Sequence, residues 1–225
     1  MAATLLAVAH GTADPDGVAE IGRLMELVRA HRPSAAVELG WLERADPPAG
    51  QLLEQLAGPV VIVPVLLSTG YHVKIDITRL AGDRPDTAVA GQLGPDRRLV
   101  EVLRQRLQPG RHPGADVVLF GAGSSDPEAY HQLSETAAGL RRALAATEGA
   151  EPVVQPRFLA TAGDWPAEVR PGADVANYLL APGSFYDRLR ARAGLLPAGF
   201  VAPPIGAHPL VAELIWDRYD QAAAG

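Results

Sequence analysis

The sequence is built from two copies of one pattern, and this duplication limits the possible folds more than any other feature. Four short stretches of the first half recur in the second half, in the same order and with nearly constant spacing. They are 9–15 with 121–127, 41–43 with 158–160, 66–70 with 179–183, and 93–96 with 205–208. Because the two copies fill all 225 residues, we predict two related domains, 1–112 and 113–225.

Each copy alternates apolar runs of strand length with segments of helical spacing. Predicted strands lie at 4–9, 37–42, 60–67, 88–92, 116–120, 153–159, 175–180 and 200–202. One predicted helix begins after Asp14. The other predicted helices lie at 51–56, 73–80, 97–107, 127–145, 184–193 and 209–222. Such alternation is typical of βαβ units and parallel sheets. We therefore predict an α/β fold of two similar lobes, each a parallel sheet flanked by helices, related by a pseudo-twofold axis with a cleft between them.

The composition excludes several classes of function. The chain contains no cysteine, which excludes a disulfide scaffold, a cysteine-ligated metal site and thiol catalysis. Its net charge of −6 argues against nucleic acid or an anionic membrane as a partner. The longest apolar run, 60–67, is too short to cross a bilayer, and residues 1–10 lack the basic start of a signal peptide. We therefore expect a cytoplasmic protein.

Three side chains that can bind a metal follow three predicted strands of the first copy. They are His10, Glu43 and His72. The carboxyl ends of parallel strands meet at one edge of a sheet, which is where open α/β sheets bind their ligands. Two imidazoles and one carboxylate suit Fe(II), Co(II) or Ni(II), and they leave coordination positions open for a substrate. The first copy therefore carries a candidate metal site.

The second copy lacks all three of these groups. Its equivalent positions are Ala122, Ala160 and Phe185. Side chains needed for packing or for a turn would be needed in both copies. We therefore expect that the shared residues build the scaffold, and that the residues confined to the first copy carry the chemistry.

The stretches 9–15, 41–43 and 63–76, which contain His10, Glu43 and His72, resemble the class II chelatases. This family includes the sirohydrochlorin ferrochelatases and cobaltochelatases. The resemblance continues through 123–127 and 203–209, so it covers nearly the whole chain. The sequence is similar to the long, fused form of the family, with a degenerate second half. It departs from the family pattern at Thr78, where a proline is expected, and this departure affects helix geometry rather than chemistry.

The resemblance implies a lyase-class chelatase, which inserts a divalent metal into the tetrapyrrole sirohydrochlorin. The metal would be Fe2+, giving sirohaem, or Co2+, towards cobalamin, with Ni2+ as a further candidate. His10, Glu43 and His72 would hold this metal substrate, and the histidines would accept the pyrrole protons. We expect no permanently bound cofactor. Because the fused chain supplies its own second lobe, we also expect a monomer.

The tetrapyrrole substrate needs contacts of its own. We expect these contacts from Ser68, Thr69, Gly70, Tyr71 and Lys74. The protein is acidic, so the carboxylates of the substrate require local cations, and Arg44 and Arg79 are candidates beside Lys74. A solvated surface position is the alternative for Lys74 and Arg79.

Other interpretations are open at this point. A non-catalytic carrier of metal or tetrapyrrole could have the same fold, and a metal-dependent hydrolase could use the same three ligands. His10 could bond to nearby backbone at a strand end, and Glu43 could be an ordinary surface carboxylate. Three further residues are better explained as helix caps than as catalysts: Asp14, Asp126 and His208.

Overall fold

A computed structural model gives the fold of the chain. It describes residues 2–70, 72–82, 84–124, 126–149, 151–159, 170–193 and 199–225. At 72–74 and 192–193 the description covers the backbone alone. Within the described residues, no helix is both long enough and apolar enough to span a membrane.

The first sheet has four parallel strands in the order β2-β1-β3-β4. Ala9, at the end of β1, lies opposite Trp41 on one side and Val65 on the other, so these three strands end at the same level. The elements are β1 (Thr4–Ala9), α1 (Pro15–His31), β2 (Val37–Trp41), α2 (Ala49–Gln55), β3 (Val60–Val65), a π-helical turn (His72–Ile77), α3 (Thr78–Ala81) and β4 (Thr87–Val89).

The second sheet has three parallel strands in the order β6-β5-β7 among the described residues. Gly121, at the end of β5, lies opposite Phe158 and Tyr178, which repeats the register of the first sheet. The elements are α4 (Arg97–Leu107), a 3-10 turn (Gln108–Gly110), β5 (Val117–Gly121), α5 (Pro127–Glu148), β6 (Val154–Phe158), β7 (Asp174–Tyr178), α6 (Ser184–Ala193) and α7 (Pro209–Ala223).

These elements confirm the predicted α/β class and the two parallel sheets flanked by helices. Three predicted elements differ clearly from the structure, and one of them, the predicted strand 88–92, is the shorter strand β4 (Thr87–Val89). The predicted strand 200–202 forms a single bridge, between Val175 and Val201. The predicted helix 73–80 is a π-helical turn followed by the short helix α3.

The two compact units are Met1–Gly94 with Ala207–Gly225, and Pro95–Gly206. They differ from the expected domains 1–112 and 113–225. The last helix of the first copy, α4, belongs to the unit that contains the strands of the second copy, and the last helix of the second copy, α7, belongs to the unit that contains the strands of the first. Helix α4 packs on α5 and β7, while α7 packs on α1, β3 and β4. How the units are arranged relative to each other, including the twofold axis and the cleft, stays a prediction.

Helix α7 is attached to the first unit by side-chain hydrogen bonds as well as by its apolar face. The indole Nε1 of Trp216 donates to the carbonyl of Val28 at 2.9 Å. The Tyr219 hydroxyl donates to the carbonyl of Ala3 at 2.6 Å, and Arg218 donates to the carbonyl of Gln92 at 2.9 Å. Trp216 is almost fully buried, so its bond satisfies a donor that has lost access to water.

In the second unit, a buried carboxylate joins three segments of the chain. Asp174, at the start of β7, is fully buried and accepts hydrogen bonds from Arg111 at 2.7 Å and from the backbone N–H of Phe200 at 2.8 Å. It also bonds to both the backbone N–H and the ring Nδ1 of His112. Burial opposes its charge, but the bonds from His112, Arg111 and Phe200 outweigh burial, and the pKa of Asp174 is lowered.

We expect Asp174→Asn to lower the free energy of unfolding at pH 7 by about 3 kcal/mol, because it removes the charge beside the buried Arg111 guanidinium. A lowered pKa means that the stabilisation is fully present above the ordinary value of 3.8 and is lost as pH falls through the lower folded value. The difference between variant and wild type should therefore persist from pH 7 down to about pH 4 and shrink as the pH falls further, as measured by urea denaturation.

The matched control is Glu101→Gln, which breaks the more exposed pair of Glu101 with Arg104 in the same unit. We expect a loss of at most about 1 kcal/mol from this change. Equal losses in the two variants would contradict a special role for the buried carboxylate.

Candidate functional site

The structure brings His10 and Glu43 together at the carboxyl edge of the first sheet. Beyond the ends of β1 and β2 the parallel pairing continues, with Leu42 N–H donating to the carbonyl of Ala9 at 2.9 Å and Glu43 N–H to that of His10 at 3.0 Å. The His10 Nδ1 atom lies 3.6 Å from the Glu43 Oε1 atom. The two side chains are 39% and 42% exposed, so an ion from solvent can reach both.

A glycine makes this approach possible. Gly11 has a φ of +105°, a conformation that side chains other than glycine rarely adopt. A Cβ atom at Gly11 would lie 1.7 Å from the Glu43 carbonyl oxygen. The loop after β1 can therefore lie against the end of β2 only if residue 11 has no side chain.

Three polar residues near helix starts cap those helices and belong to the scaffold. Asp14 caps helix α1 by accepting from the backbone N–H of Asp16 at 2.9 Å, and its own N–H donates to the Thr12 hydroxyl at 3.1 Å. In the second copy, Asp126 makes the same bond with the N–H of Glu128. His208 caps α7 through Nδ1, which accepts from Leu210 N–H at 3.2 Å. The three capping predictions are confirmed.

The third predicted ligand has its backbone at the start of the π-helical turn His72–Ile77. The side chains of His72 and Lys74, and the whole of Tyr71, lie outside the described residues. Ser68, Thr69 and Gly70 form the loop after β3, and Thr69 is buried in it. Among the described side chains, no group of three or more histidines, aspartates and glutamates is close enough to hold a metal.

Arg44 is the charged neighbour of the His10–Glu43 pair. Its Nε atom donates to the Glu43 Oε1 atom at 3.1 Å, and its side chain is 65% exposed. Arg44 is predicted from the sequence as a candidate for the substrate carboxylates, whereas in the structure it pairs with the carboxylate of the candidate site.

A depression of about 340 Å³ opens beside Glu43. Its two charged members besides Glu43 are Asp76 and Arg79. The sequence carries no signal for this depression, because most of its wall comes from the loop and helix that follow β2. The lining residues are Trp41, Leu42, Glu43, Pro48, Ala49, Gly50, Asp76, Arg79 and Leu80.

The second copy repeats the backbone of this edge without its functional groups. Leu159 N–H donates to the carbonyl of Gly121 at 3.0 Å, as Leu42 does to Ala9, so Ala122 occupies the position of His10. Ala122 packs against an apolar cluster. Phe185, the expected counterpart of His72, lies under the guanidinium of Arg188. Ala160, the counterpart of Glu43, lies outside the described residues.

Comparison with known proteins gives consistent matches. The family model described as CbiX matches residues 4–109. The chain is 27% identical over 248 aligned residues to the sirohydrochlorin ferrochelatase of Bacillus subtilis, covering 100% of this chain and 93% of the relative. It is 30% identical over 111 residues to the sirohydrochlorin cobaltochelatase of Sulfolobus acidocaldarius, covering 46% of this chain and 89% of the relative.

The fold also matches a solved structure over its full length. The structure described as SirB from Bacillus subtilis with Fe3+ has a TM-score of 0.77 and 25% sequence identity to this chain. The match covers 100% of this chain and 96% of that one.

We expect Gly11→Ala to lower the free energy of unfolding by more than about 1 kcal/mol, because the new methyl group meets the Glu43 carbonyl and the positive φ is strained. The matched control is Gly22→Ala in α1, where nothing lies within 4 Å of the new Cβ. That change should raise stability by about 0.5–1 kcal/mol, because alanine is the better helix residue. Urea denaturation followed by tryptophan fluorescence measures both, and effects of the same sign would refute the close approach.

Proposed function

The chain belongs to the CbiX family of class II chelatases, and from this premise we propose that it inserts Fe2+ or Co2+ into sirohydrochlorin. The observation that carries the proposal is the His10–Glu43 pair, 3.6 Å apart and open to solvent at the carboxyl edge of the first sheet. The relatives from Bacillus subtilis and Sulfolobus acidocaldarius are named for iron and for cobalt insertion into the same tetrapyrrole.

In the proposed mechanism, His10 and Glu43 take up the ion, and His72 is the third ligand. Two imidazoles and one carboxylate do not fill the coordination shell of a divalent metal, so positions remain for water and then for the ring nitrogens. The imidazoles bind as neutral groups, because a protonated nitrogen has no lone pair to donate. The carboxylate of Glu43 reduces the net charge of the bound ion.

Metal insertion also moves protons. The ring exchanges two pyrrole N–H protons for one divalent ion, so its charge stays the same and the two released protons need acceptors. Imidazole accepts protons near neutral pH, which makes His10 and His72 the proposed acceptors once the ion has left them. The same residues therefore act twice, first as metal ligands and then as bases.

We propose that the substrate contacts lie around this pair. The loop Ser68, Thr69, Gly70 follows β3, which is adjacent to β1 in the sheet. Arg79 lines the depression that Glu43 borders, where a guanidinium could bind a carboxylate of the tetrapyrrole. The contacts from Tyr71 and Lys74 stay predictions. The same holds for three properties of the whole protein: a cytoplasmic location, a monomeric state and the lack of a permanent cofactor.

We expect His10→Ala and His72→Ala each to lower the rate of metal insertion at least about tenfold, because each removes a ligand and a base. The measurement follows the absorbance of sirohydrochlorin after addition of Fe2+ under anaerobic conditions, or of Co2+. His131→Ala is the matched control, since it removes an exposed histidine on α5 and should leave the rate unchanged.

Undiminished rates in both active-site variants would defeat the assignment. Stoichiometric binding of metal or tetrapyrrole by the wild type without insertion would instead favour the alternative of a carrier on the same fold.

A further inference from the structure

The carboxylate oxygen that faces His10 is also held by a cation of the protein itself. Glu43 Oε1 lies 3.6 Å from His10 Nδ1 and 3.1 Å from Arg44 Nε. We propose that Arg44 competes with the metal substrate for Glu43 and so limits how tightly the site holds its ion. This inference rests on the proposed function, and it gives Arg44 the role of a positioning residue.

The competition follows from the geometry of the shared oxygen. A metal–carboxylate bond is about 2.0–2.2 Å long, so an ion bound to this oxygen would stand close to the guanidinium that donates to it. Both the ion and the guanidinium are cations, and they repel each other at that separation. An ion that binds to this oxygen therefore weakens the Arg44–Glu43 bond, and departure of the ion allows the bond to form again.

The backbone is shaped to make this pair. Successive side chains of an extended strand point to opposite faces, so residues 43 and 44 could not pair if β2 simply continued. Arg44 has a φ of +62°, in the left-handed region that residues other than glycine rarely adopt. Every other positive φ among the described residues belongs to a glycine. This costly conformation turns the chain so that Arg44 reaches the carboxylate of its neighbour.

The pair is suited to weaken metal binding without preventing it. Glu43 is 42% exposed and Arg44 is 65% exposed, so water screens their attraction and an ion can displace the guanidinium. A buried pair would exclude the ion, and an unpaired Glu43 would retain it for longer. Because a chelatase must pass its ion to the ring, a moderate competitor favours transfer.

The test uses Arg44→Asn, since asparagine removes the charge and tolerates a positive φ. We expect the affinity for Co2+, titrated in the absence of tetrapyrrole, to rise about fivefold. Single-turnover transfer of the preloaded Co2+ to sirohydrochlorin should slow by a similar factor. Arg44→Lys keeps the charge and should stay within about twofold of the wild type. High salt should reduce the difference between Arg44→Asn and the wild type.

Arg23→Asn is the matched control, because it removes the same charge from an exposed pair with Glu20 on α1. We expect its Co2+ affinity to equal that of the wild type. If Arg44→Asn binds Co2+ no more tightly than the wild type, or only as much more tightly as Arg23→Asn does, the role of Arg44 is refuted. His10→Ala separates the two proposals: unchanged Co2+ binding in that variant would refute the ligand set itself, whatever Arg44 does.

Discussion

The close contact between Gly11 and the backbone of Glu43 is the constraint on which the candidate site depends. Parallel pairing carries β1 and β2 to the same level, and two further hydrogen bonds extend the pairing to His10 and Glu43. The loop after β1 then has to turn towards α1 while its backbone lies against a carbonyl oxygen. Only a residue without a Cβ atom permits this, so the backbone fixes the position of the two side chains before any metal is present.

The duplicated fold separates structural requirements from chemical ones. In both copies the loop before the first helix ends at an aspartate that caps this helix, and in both at least one hydrogen bond continues the pairing of the first two strands beyond the strand ends. These features are retained because the fold needs them twice. His10 has no counterpart of its kind in the second copy, where Ala122 packs against apolar residues. The second copy therefore forms the same strand end without an imidazole, which supports the proposed chemical role of His10, although its Nδ1 atom also lies 3.3 Å from the Gly11 carbonyl oxygen.

The sequence was sufficient to predict the class of fold, most of the strands and the caps. Apolar runs such as Val60–Val65 are fully buried, as expected for the strands of a sheet covered on both faces. Asp14 precedes a proline at a helix start, which is the usual pattern of a helix cap. Each of these patterns has a single physical explanation and could therefore be predicted. The exchange of α4 and α7 could not be predicted in this way. An amphipathic pattern shows that a helix needs an apolar partner, but it does not show which of two similar sheets provides that partner.

The sequence does not predict the surroundings of the candidate site. Residue type and position at strand ends were enough to propose His10 and Glu43, because parallel strands bring such positions together. The bond from Arg44 depends on a single left-handed residue, and sequence patterns for that conformation favour glycine or asparagine rather than arginine. The depression next to Glu43 depends on how α2 and α3 lie beside the end of β2, which is a matter of packing.

On the proposed function, the exposure of the site is part of its chemistry. A site of this kind cannot select iron over cobalt or nickel by affinity, since affinity for nitrogen and oxygen ligands follows the same order in most sites. What the site can control is how long it keeps an ion. His10 and Glu43 remain in contact with water, which weakens each electrostatic interaction, and the adjacent guanidinium weakens the hold further. The macrocycle offers the ion four nitrogen ligands, more than the three side chains of the proposed site, so a partial and hydrated shell on the protein favours transfer to the ring.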